Sequence, residues 1–325
     1  MRYMRRSLSL LIAIALAATL LAPTAFAGAR AGEDDFGVAA YSYVEQLQEV
    51  PRFVAGPGGE AEAAALVKGW LKELGYRAKY QPFSFNYRGT KYGSQNVVAY
   101  KRAVGRHHRD DTPLVVIGAH YDAVPVGKGA DDNASGVGTM LEVVGRLADE
   151  DLPYDLAIVA FGAEEAGLIG SDHYVKRMSQ ADFKRTIVMI NLDSLIAGDF
   201  RYIHAGSNHK AWARDEMLTI IDDLDLGIIT QPGLNRKYPA GYTPNGFSDY
   251  TAFNKKRIPI VAFESTNWNV GDLDGYQQNA DPPYEFWHTP NDTLEIIESY
   301  YPGRPMEHLS AYTELVYVFL STLSR

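Results

Sequence analysis

The chain has 325 residues, with 31 Lys or Arg against 40 Asp or Glu, a formal net charge of −9, and no cysteine. Without cysteine there can be no disulfide, no thiolate-ligated zinc or iron–sulfur site and no cysteine nucleophile. The acidic balance argues against a nucleic-acid partner, because such proteins usually carry a basic surface. A content of 46% hydrophobic and 22% charged residues indicates a folded chain with one large core or two of ordinary size.

The N-terminal segment has the pattern of an export signal. Arg2, Arg5 and Arg6 precede an apolar run from Leu8 to Ala22, and the small residues of Ala25-Phe26-Ala27 follow. We predict that residues 1–27 are a signal peptide and that residues 28–325 form a single domain of an exported protein, periplasmic or secreted. A retained membrane anchor is the alternative, but the apolar run is shorter than a membrane-spanning helix requires.

The next elements along the chain are a helix and a strand pair. Glu60–Leu74 has apolar residues at spacings of three and four and is followed by Gly75, which predicts a helix with a glycine cap. Phe83–Tyr100 alternates in polarity and is interrupted by Gly89 and Gly93, which predicts strands paired around a turn. The charged stretch His107–Asp111 is most simply a solvated turn.

Short continuous apolar runs dominate the middle of the chain. Three such runs, Leu114–Ala119, Leu156–Gly162 and Ile187–Leu192, are separated by helical patterns at Val137–Ala148 and Gly170–Met178. Strands without polar alternation that are separated by helices indicate a parallel sheet covered on both faces. We therefore predict an α/β fold with a mostly parallel twisted sheet and helices on both faces. Later in the chain, apolar patterns predict a further strand at Ile258–Phe263 and a helix at Met306–Leu323.

Each of the three central strands ends in residues that can bind a metal. His120 and Asp122 follow the first strand, the pair Glu164-Glu165 follows the second, and Asp193 follows the third. Open parallel sheets bind ligands beyond the carboxyl ends of their strands, where successive loops meet. Imidazole and carboxylate ligands without thiolate suit Zn²⁺, Mn²⁺ or Co²⁺.

The loop before the first central helix supplies a further carboxylate. Asp132 lies in Gly129–Gly136, a loop that needs glycine to turn tightly, and its two oxygens could bridge two cations. A helix-capping role is the alternative for its neighbours Asp131 and Asn133.

The His120-x-Asp122 spacing points both side chains to one face of an extended segment. His120 would then bind metal through one ring nitrogen while Asp122 holds the other; a hydrogen-bonded structural pair is the alternative. Of Glu164 and Glu165, one would bind metal and the other would act as a general base, the alternative being two surface glutamates.

The second imidazole ligand is expected to come from a late loop. His288 is chosen because Thr289 and Asp292 nearby could orient its ring. Four other histidines lie on helical or strand patterns with no acidic constellation, and we predict no metal-binding role for them: His173, His204, His209 and His308.

These motifs, in this order, resemble those of the co-catalytic dizinc aminopeptidase family, and they span more than half of the chain. The resemblance implies two zinc ions, with Co²⁺ or Mn²⁺ as possible substitutes. It implies that Asp132 bridges the ions, that His120 and Asp193 complete one site, and that Glu165 and His288 complete the other. It also implies that Glu164 is the general base and that Asp122 supports His120. The chain departs from the family at Trp287, where many members have tyrosine, and at Tyr250, which replaces a frequent histidine.

The expected activity is hydrolysis of the N-terminal peptide bond of peptides or proteins by a metal-activated water. We expect a preference for substrates whose first residue is Arg or Lys. The candidate substrate-binding residues are Asp249, Glu264 and Trp287. We expect no nucleic-acid partner and no stable membrane association after signal cleavage.

Three other functions stay open. A glutaminyl cyclase-type acyltransferase would use a single zinc on the same fold. A carboxypeptidase would need basic residues such as Arg236, Lys237 or Arg257 to bind a terminal carboxylate. A binding module on an inactive peptidase scaffold would normally have lost ligands, and none is missing here.

Overall fold

The computed structural model describes residues 35–56, 58–104 and 111–324. The predicted signal peptide and most of the predicted turn at His107–Asp111 lie outside these ranges. The described strands are β1 (Lys79–Tyr87), β2 (Thr90–Lys101), β3 (Leu114–His120), β4 (Asp155–Phe161), β5 (Thr186–Leu192), β6 (Phe200–Gly206), β7 (Ile228–Ile229), β8 (Tyr242–Thr243) and β9 (Ile260–Thr266). The described helices are α1 (Val38–Leu47), α2 (Ala61–Glu73), α3 (Gly136–Arg146), α4 (Ile169–Arg177), α5 (Gln180–Arg185), α6 (Trp212–Leu224), α7 (Tyr250–Lys255), α8 (Leu294–Tyr300) and α9 (Arg304–Thr322).

All of these strands join one sheet, in the order β1-β2-β4-β3-β5-β9-β6-β7, with β8 beside β6. The central strands β4, β3, β5 and β9 run parallel to one another. The strands on either side, β2 and β6, run antiparallel to the neighbours β4 and β9. The prediction of a mostly parallel sheet is therefore confirmed, and its four central strands end at the same edge.

The apolar runs of the central strands are explained by burial on both faces. Val115 and Ile117 pack in a core with residues of α1, α2, α3, α6 and α9. Val116 and Val159 pack on the opposite face with residues of α4 and α7. Because successive strand side chains point to opposite faces, a sheet with helices on both faces requires apolar residues at every position.

Two details of the predicted elements were wrong. Gly89 lies in the turn between β1 and β2 with a φ of +82°, as expected, but Gly93 lies within β2 and pairs with Ser84. Helix α2 begins at Ala61, so Glu60 precedes the helix and its side chain turns into the protein, where it is 2% exposed.

The loop that enters α3 passes close to its surroundings. Gly129 has a φ of +62°, and a Cβ at this position would meet the Asp132 carbonyl and the guanidinium of Arg52. The segment Ala130–Ser135 follows, leaves helical geometry at Asp132 and Asn133, and is buried throughout. Glycine is required at 129 because both the backbone conformation and the available space exclude a side chain.

No helix in the described ranges is both long enough and apolar enough to cross a membrane.

Candidate active site

The five predicted metal ligands come together beyond the carboxyl ends of β3, β4 and β5. Nε2 of His120 lies 3.2 Å from Oδ1 of Asp132 and 3.3 Å from Oδ1 of Asp193. Nε2 of His288 lies 3.2 Å from Oδ2 of Asp132 and 3.1 Å from Oε2 of Glu165. Each oxygen of the Asp132 carboxylate therefore faces a different imidazole.

Two groups of three side chains, which share His120, each lie close enough together to hold a cation. The potential ligand atoms of His120, Glu164 and Asp193 are all within 4.8 Å of one another, and so are those of His120, Asp132 and Glu165. Oε1 of Glu165 is buried without a hydrogen-bond partner among the described residues. An unpartnered carboxylate oxygen in a set of imidazoles and carboxylates without thiolate fits zinc.

The electrostatics of the cluster are those of acids crowded together. Burial, with repulsion from Asp132, raises the pKa of Glu165 to about 7. Burial also raises the pKa of Glu164 well above its usual value. Hydrogen bonds to Asp132 and Glu165 raise the pKa of His288 to about 11. Bound divalent cations would compensate the same carboxylates in place of protons.

Two of these groups are shifted by opposing effects. Burial lowers the pKa of His120, but the nearby Asp193 and Glu164 carboxylates outweigh burial and raise that pKa well above its usual value. Burial raises the pKa of Asp132, but hydrogen bonds to the two imidazoles outweigh it and hold that pKa well below its usual range. Asp132 thus remains ionised more readily than Glu164 and Glu165.

Asp122 lies beside His120 and makes further contacts that the sequence did not predict. Its Oδ1 and Oδ2 accept the backbone N–H groups of Glu164 and Glu165, at 3.0 and 3.1 Å. Nδ1 of His120 lies 3.2 Å from the backbone oxygen of Asp122 and 3.6 Å from its carboxylate. The side chain of Asp122 therefore orients the turn that carries the two glutamates, and its backbone carbonyl is the nearer partner of the His120 ring.

Thr289 and Asp292, which the sequence led us to expect as partners of the His288 ring, make other hydrogen bonds instead. The buried carboxylate of Asp292 accepts the N–H groups of Asp131 and Asp132, at 2.7 and 3.2 Å. The hydroxyl of Thr289 donates to the carbonyl of Phe286. Asp292 instead fixes the loop that presents Asp132.

Two further residues shape this site: sequence reasoning missed Glu60, and it considered Asn133 only as a helix cap. Oε2 of Glu60 accepts the N–H of Ala163, at 3.2 Å, directly before the glutamate pair. The amide of Asn133 donates to the carbonyl of Leu192 and accepts the N–H of Gly136, each at 2.9 Å. Glu60 lies about one hundred residues before its partner, so no local pattern marks it.

A cavity of about 440 Å³ adjoins the ligand cluster and contains two of the three predicted substrate-binding residues. Trp287 and Glu264 line it. Asp249 is fully buried and is not among the lining residues, so the structure does not bring it to a substrate.

Glu264 is held in place on the cavity wall by two neighbours. Its Oε1 accepts hydrogen bonds from Nε2 of His204 at 2.8 Å and from Nε1 of Trp268 at 2.6 Å. His204, for which no metal-binding role is predicted, is thus the hydrogen-bond partner of a single carboxylate. Among the described residues Oε2 of Glu264 has no hydrogen-bond partner, which leaves it available to a ligand.

Comparison with known proteins agrees with this chemistry. The profile of peptidase family M28 matches residues 96–312. The alkaline phosphatase isozyme conversion protein of Escherichia coli is 32% identical over 281 residues, which cover 78% of this chain and 81% of that protein. Aminopeptidase YwaD of Bacillus subtilis is 31% identical over 212 residues, covering 64% of this chain but 41% of that protein.

Solved structures share the fold. The zinc aminopeptidase BSAP of Bacillus subtilis superposes with a TM-score of 0.70 at 19% identity, over 90% of this chain and 97% of that one. The glutaminyl cyclase of Porphyromonas gingivalis gives a TM-score of 0.67 at 21% identity, over 89% and 99%. The family resemblance inferred from the motifs is confirmed: the chain belongs to peptidase family M28 and is a metallo-aminopeptidase.

Proposed function

We propose that this protein uses two zinc ions to hydrolyse the N-terminal peptide bond of peptides or proteins. The observation that carries the proposal is the position of Asp132, whose two oxygens face His120 and His288 at 3.2 Å each. His120 and Asp193 would complete one zinc site, and Glu165 and His288 the other. Zinc bound there would polarise the scissile carbonyl and lower the pKa of the attacking water.

Glu164 is proposed as the general base. It lies within 4.8 Å of ligand atoms of His120 and Asp193, and its backbone N–H is held by Asp122. Its carboxylate would take a proton from the attacking water and return it to the leaving amine. Asp122 would position this group, because its two carboxylate oxygens hold the turn that carries both glutamates.

The cavity of about 440 Å³ beside the ligand cluster, the first cavity, is suited to a free N-terminus. It is lined by carboxylates, including Glu164, Asp193 and Glu264, and no Lys or Arg is among its lining residues in the described part of the chain. Carboxylates bind an ammonium group through charge-assisted hydrogen bonds. The same lining disfavours the carboxypeptidase alternative, because Arg236, Lys237 and Arg257 do not line this cavity.

Peptides with a free N-terminus should be cleaved, and the same peptides with an acetylated N-terminus should not. Acetylation removes the charge that the carboxylates would bind. A charge-assisted hydrogen bond contributes about 1.5–3 kcal/mol. Loss of one or two such contacts should lower kcat/KM at least about tenfold. The measurement is chromatography of products from paired free and acetylated peptides; equal cleavage of both would identify an endopeptidase instead.

We propose a preference for N-terminal Arg or Lys. The support is the acidic lining, in which Glu264 is accompanied by Asp274 and Glu285. Since one charge-assisted contact contributes about 1.5–3 kcal/mol, kcat/KM for arginyl anilide should exceed that for leucyl anilide at least about tenfold.

The variant Glu264→Gln should bring the arginyl-to-leucyl ratio close to one, because its amide keeps an oxygen acceptor for His204 and Trp268 but lacks the charge. Glu295→Gln, an exposed position on α8 outside the cavity lining, is the matched control. A wild-type preference for leucine would overturn the proposed preference while leaving the aminopeptidase reaction intact.

The glutaminyl cyclase alternative rests on the structural likeness to the Porphyromonas gingivalis protein. Retention of all five candidate ligands in one cluster supports two metals. One zinc per chain together with cyclisation of N-terminal glutamine would favour the alternative.

We also propose that residues 1–27 direct export to the periplasm or the medium, supported by the basic and apolar pattern and by the small residues before the predicted cleavage point.

A further inference from the structure

A second cavity, of about 480 Å³, lies against the same ligand cluster. It shares two side chains, Glu165 and His288, with the first cavity. The His288 side chain is 59% exposed and therefore accessible at this boundary. The two cavities thus meet at residues that we propose as ligands of one zinc ion.

Aromatic side chains form much of the second cavity. It is lined by Phe53 and by two residues of the β1–β2 hairpin, Tyr87 and Tyr92. The Tyr87 ring centroid lies 6.4 Å from those of both Phe53 and Tyr92. All three rings are only partly buried, and none belongs to the hydrophobic clusters on the two faces of the sheet. The fold does not need these rings for its core, so they are available to a ligand.

The rim of the second cavity carries a cation. Arg88 is exposed at the hairpin turn, and its guanidinium lies 5.1 Å from the ring centroid of Tyr87. Among the described residues Arg88 has no ion pair with a carboxylate. The first cavity has several carboxylates and no Lys or Arg in its lining, whereas the second is lined by Arg88 and by a single carboxylate, Glu165.

We infer that the second cavity binds the part of a peptide substrate on the carboxyl side of the scissile bond, and that Arg88 binds a carboxylate of that part. The inference rests on the proposed aminopeptidase function. An N-terminal residue held in the first cavity puts the scissile bond at the ligand cluster. The rest of the peptide then has to leave past Glu165 and His288, where the second cavity begins.

The chemistry of the second cavity defines its ligand. The aromatic rings would contact apolar side chains and the peptide backbone, and the guanidinium matches a carboxylate through paired hydrogen bonds. This carboxylate has two sources: the C-terminus of a short peptide, or an acidic side chain within a longer one. The first source would make the protein most effective on short peptides.

The test compares four substrates with the zinc-loaded full chain. They are arginyl anilide, the tripeptide Arg-Ala-Ala with a free C-terminus, its C-terminal amide, and the amide Arg-Ala-Asp-NH₂. The anilide has no peptide beyond the scissile bond, and the simple amide lacks a carboxylate. The variants are Arg88→Gln and, as a matched control, Lys91→Gln, which removes an exposed cation of the same hairpin outside the cavity.

Arg88→Gln should raise KM about fivefold for the free tripeptide, as expected from losing one partly exposed charged pair, with kcat unchanged. It should leave the anilide and the simple amide unaffected. An effect on the free tripeptide identifies the terminal carboxylate as the ligand, and an effect on the Asp-containing amide identifies the side chain. An effect on neither, or an equal effect on all four substrates, would overturn the inference about Arg88.

A second variant tests the aromatic wall. Tyr87→Ala should raise KM about tenfold for both peptide amides, because removal of a central aromatic contact weakens binding. Its zinc content and thermal unfolding should match those of the wild-type protein, which shows that the variant folds and retains its metal site. Unchanged KM for every peptide would overturn the assignment of the cavity. If the wild-type protein fails to hydrolyse the anilide at all, the aminopeptidase proposal fails instead.

Discussion

Glu164→Gln is expected to lower kcat by about 10²- to 10⁴-fold, the usual contribution of a positioned general base. Glutamine keeps the size and the hydrogen-bonding oxygen of glutamate but cannot accept the proton of the attacking water. The backbone of this turn is held by Asp122 through the N–H groups of Glu164 and Glu165, and the substitution leaves both contacts in place. Zinc content and thermal unfolding should therefore match those of the wild-type protein.

The adjacent residue supplies the matched control for this experiment. Glu165→Gln alters a carboxylate whose Oε2 lies 3.1 Å from His288, and which we propose as a zinc ligand. It should lower zinc content, whereas Glu164→Gln should not. Steady-state kinetics on an aminoacyl anilide and metal analysis by plasma mass spectrometry separate the two roles. Near-normal turnover by Glu164→Gln, or loss of zinc from it, would contradict the general-base role.

Removal of the proposed bridging carboxylate should affect both metals at once. Asp132→Ala deletes the side chain whose two oxygens lie 3.2 Å from Nε2 of His120 and Nε2 of His288. We expect zinc content to fall from two ions per chain to one or fewer. Because enzymes of this kind accelerate hydrolysis by many orders of magnitude, kcat/KM should fall at least about 10³-fold.

The control for this variant is Asp172→Ala, an aspartate of α4 whose carboxylate pairs with the exposed Lys176. It should keep both its zinc content and its activity. Two zinc ions per chain in Asp132→Ala would contradict the bridging role, whereas a single ion in the wild-type protein would contradict the dinuclear site itself. Titration of zinc into the metal-free protein distinguishes these outcomes.

The loss of Asp132 should also remove an electrostatic constraint on the metal-free protein. Each imidazole is held in its protonated form by neighbouring carboxylates, and Asp132 is the partner common to both. Without Asp132 the two rings lose that shared partner. This is the physical reason for expecting one substitution to disturb both halves of the cluster.

Much of the fold followed from local sequence patterns. Runs such as Leu114–Ala119 predicted strands buried on both faces, and the structure places each in the centre of the sheet. The edge hairpin was predicted only in part, because Gly93 resembles a strand breaker in sequence but lies in a regular antiparallel pair with Ser84. A glycine in an exposed strand position forms the same backbone hydrogen bonds as any other residue.

The sequence by itself determined which residues could meet at the site. His120, Glu165 and Asp193 each follow a strand, and parallel strands bring their carboxyl ends to one edge regardless of the intervening chain. The order and chemistry of these residues were therefore enough to predict a cluster of imidazoles and carboxylates.

Only the tertiary structure decided how that cluster is held. Glu60 and Asp292 accept hydrogen bonds from backbone N–H groups of the site loops that lie 103 and 161 residues away in sequence. Asp122 holds the backbone of the turn that carries the two glutamates. Likewise, the aromatic cavity beside Glu165 depends on the β1–β2 hairpin reaching the ligand cluster. Buried hydrogen bonds and cavity walls form between segments brought together by packing, and no local periodicity records which distant segments will meet.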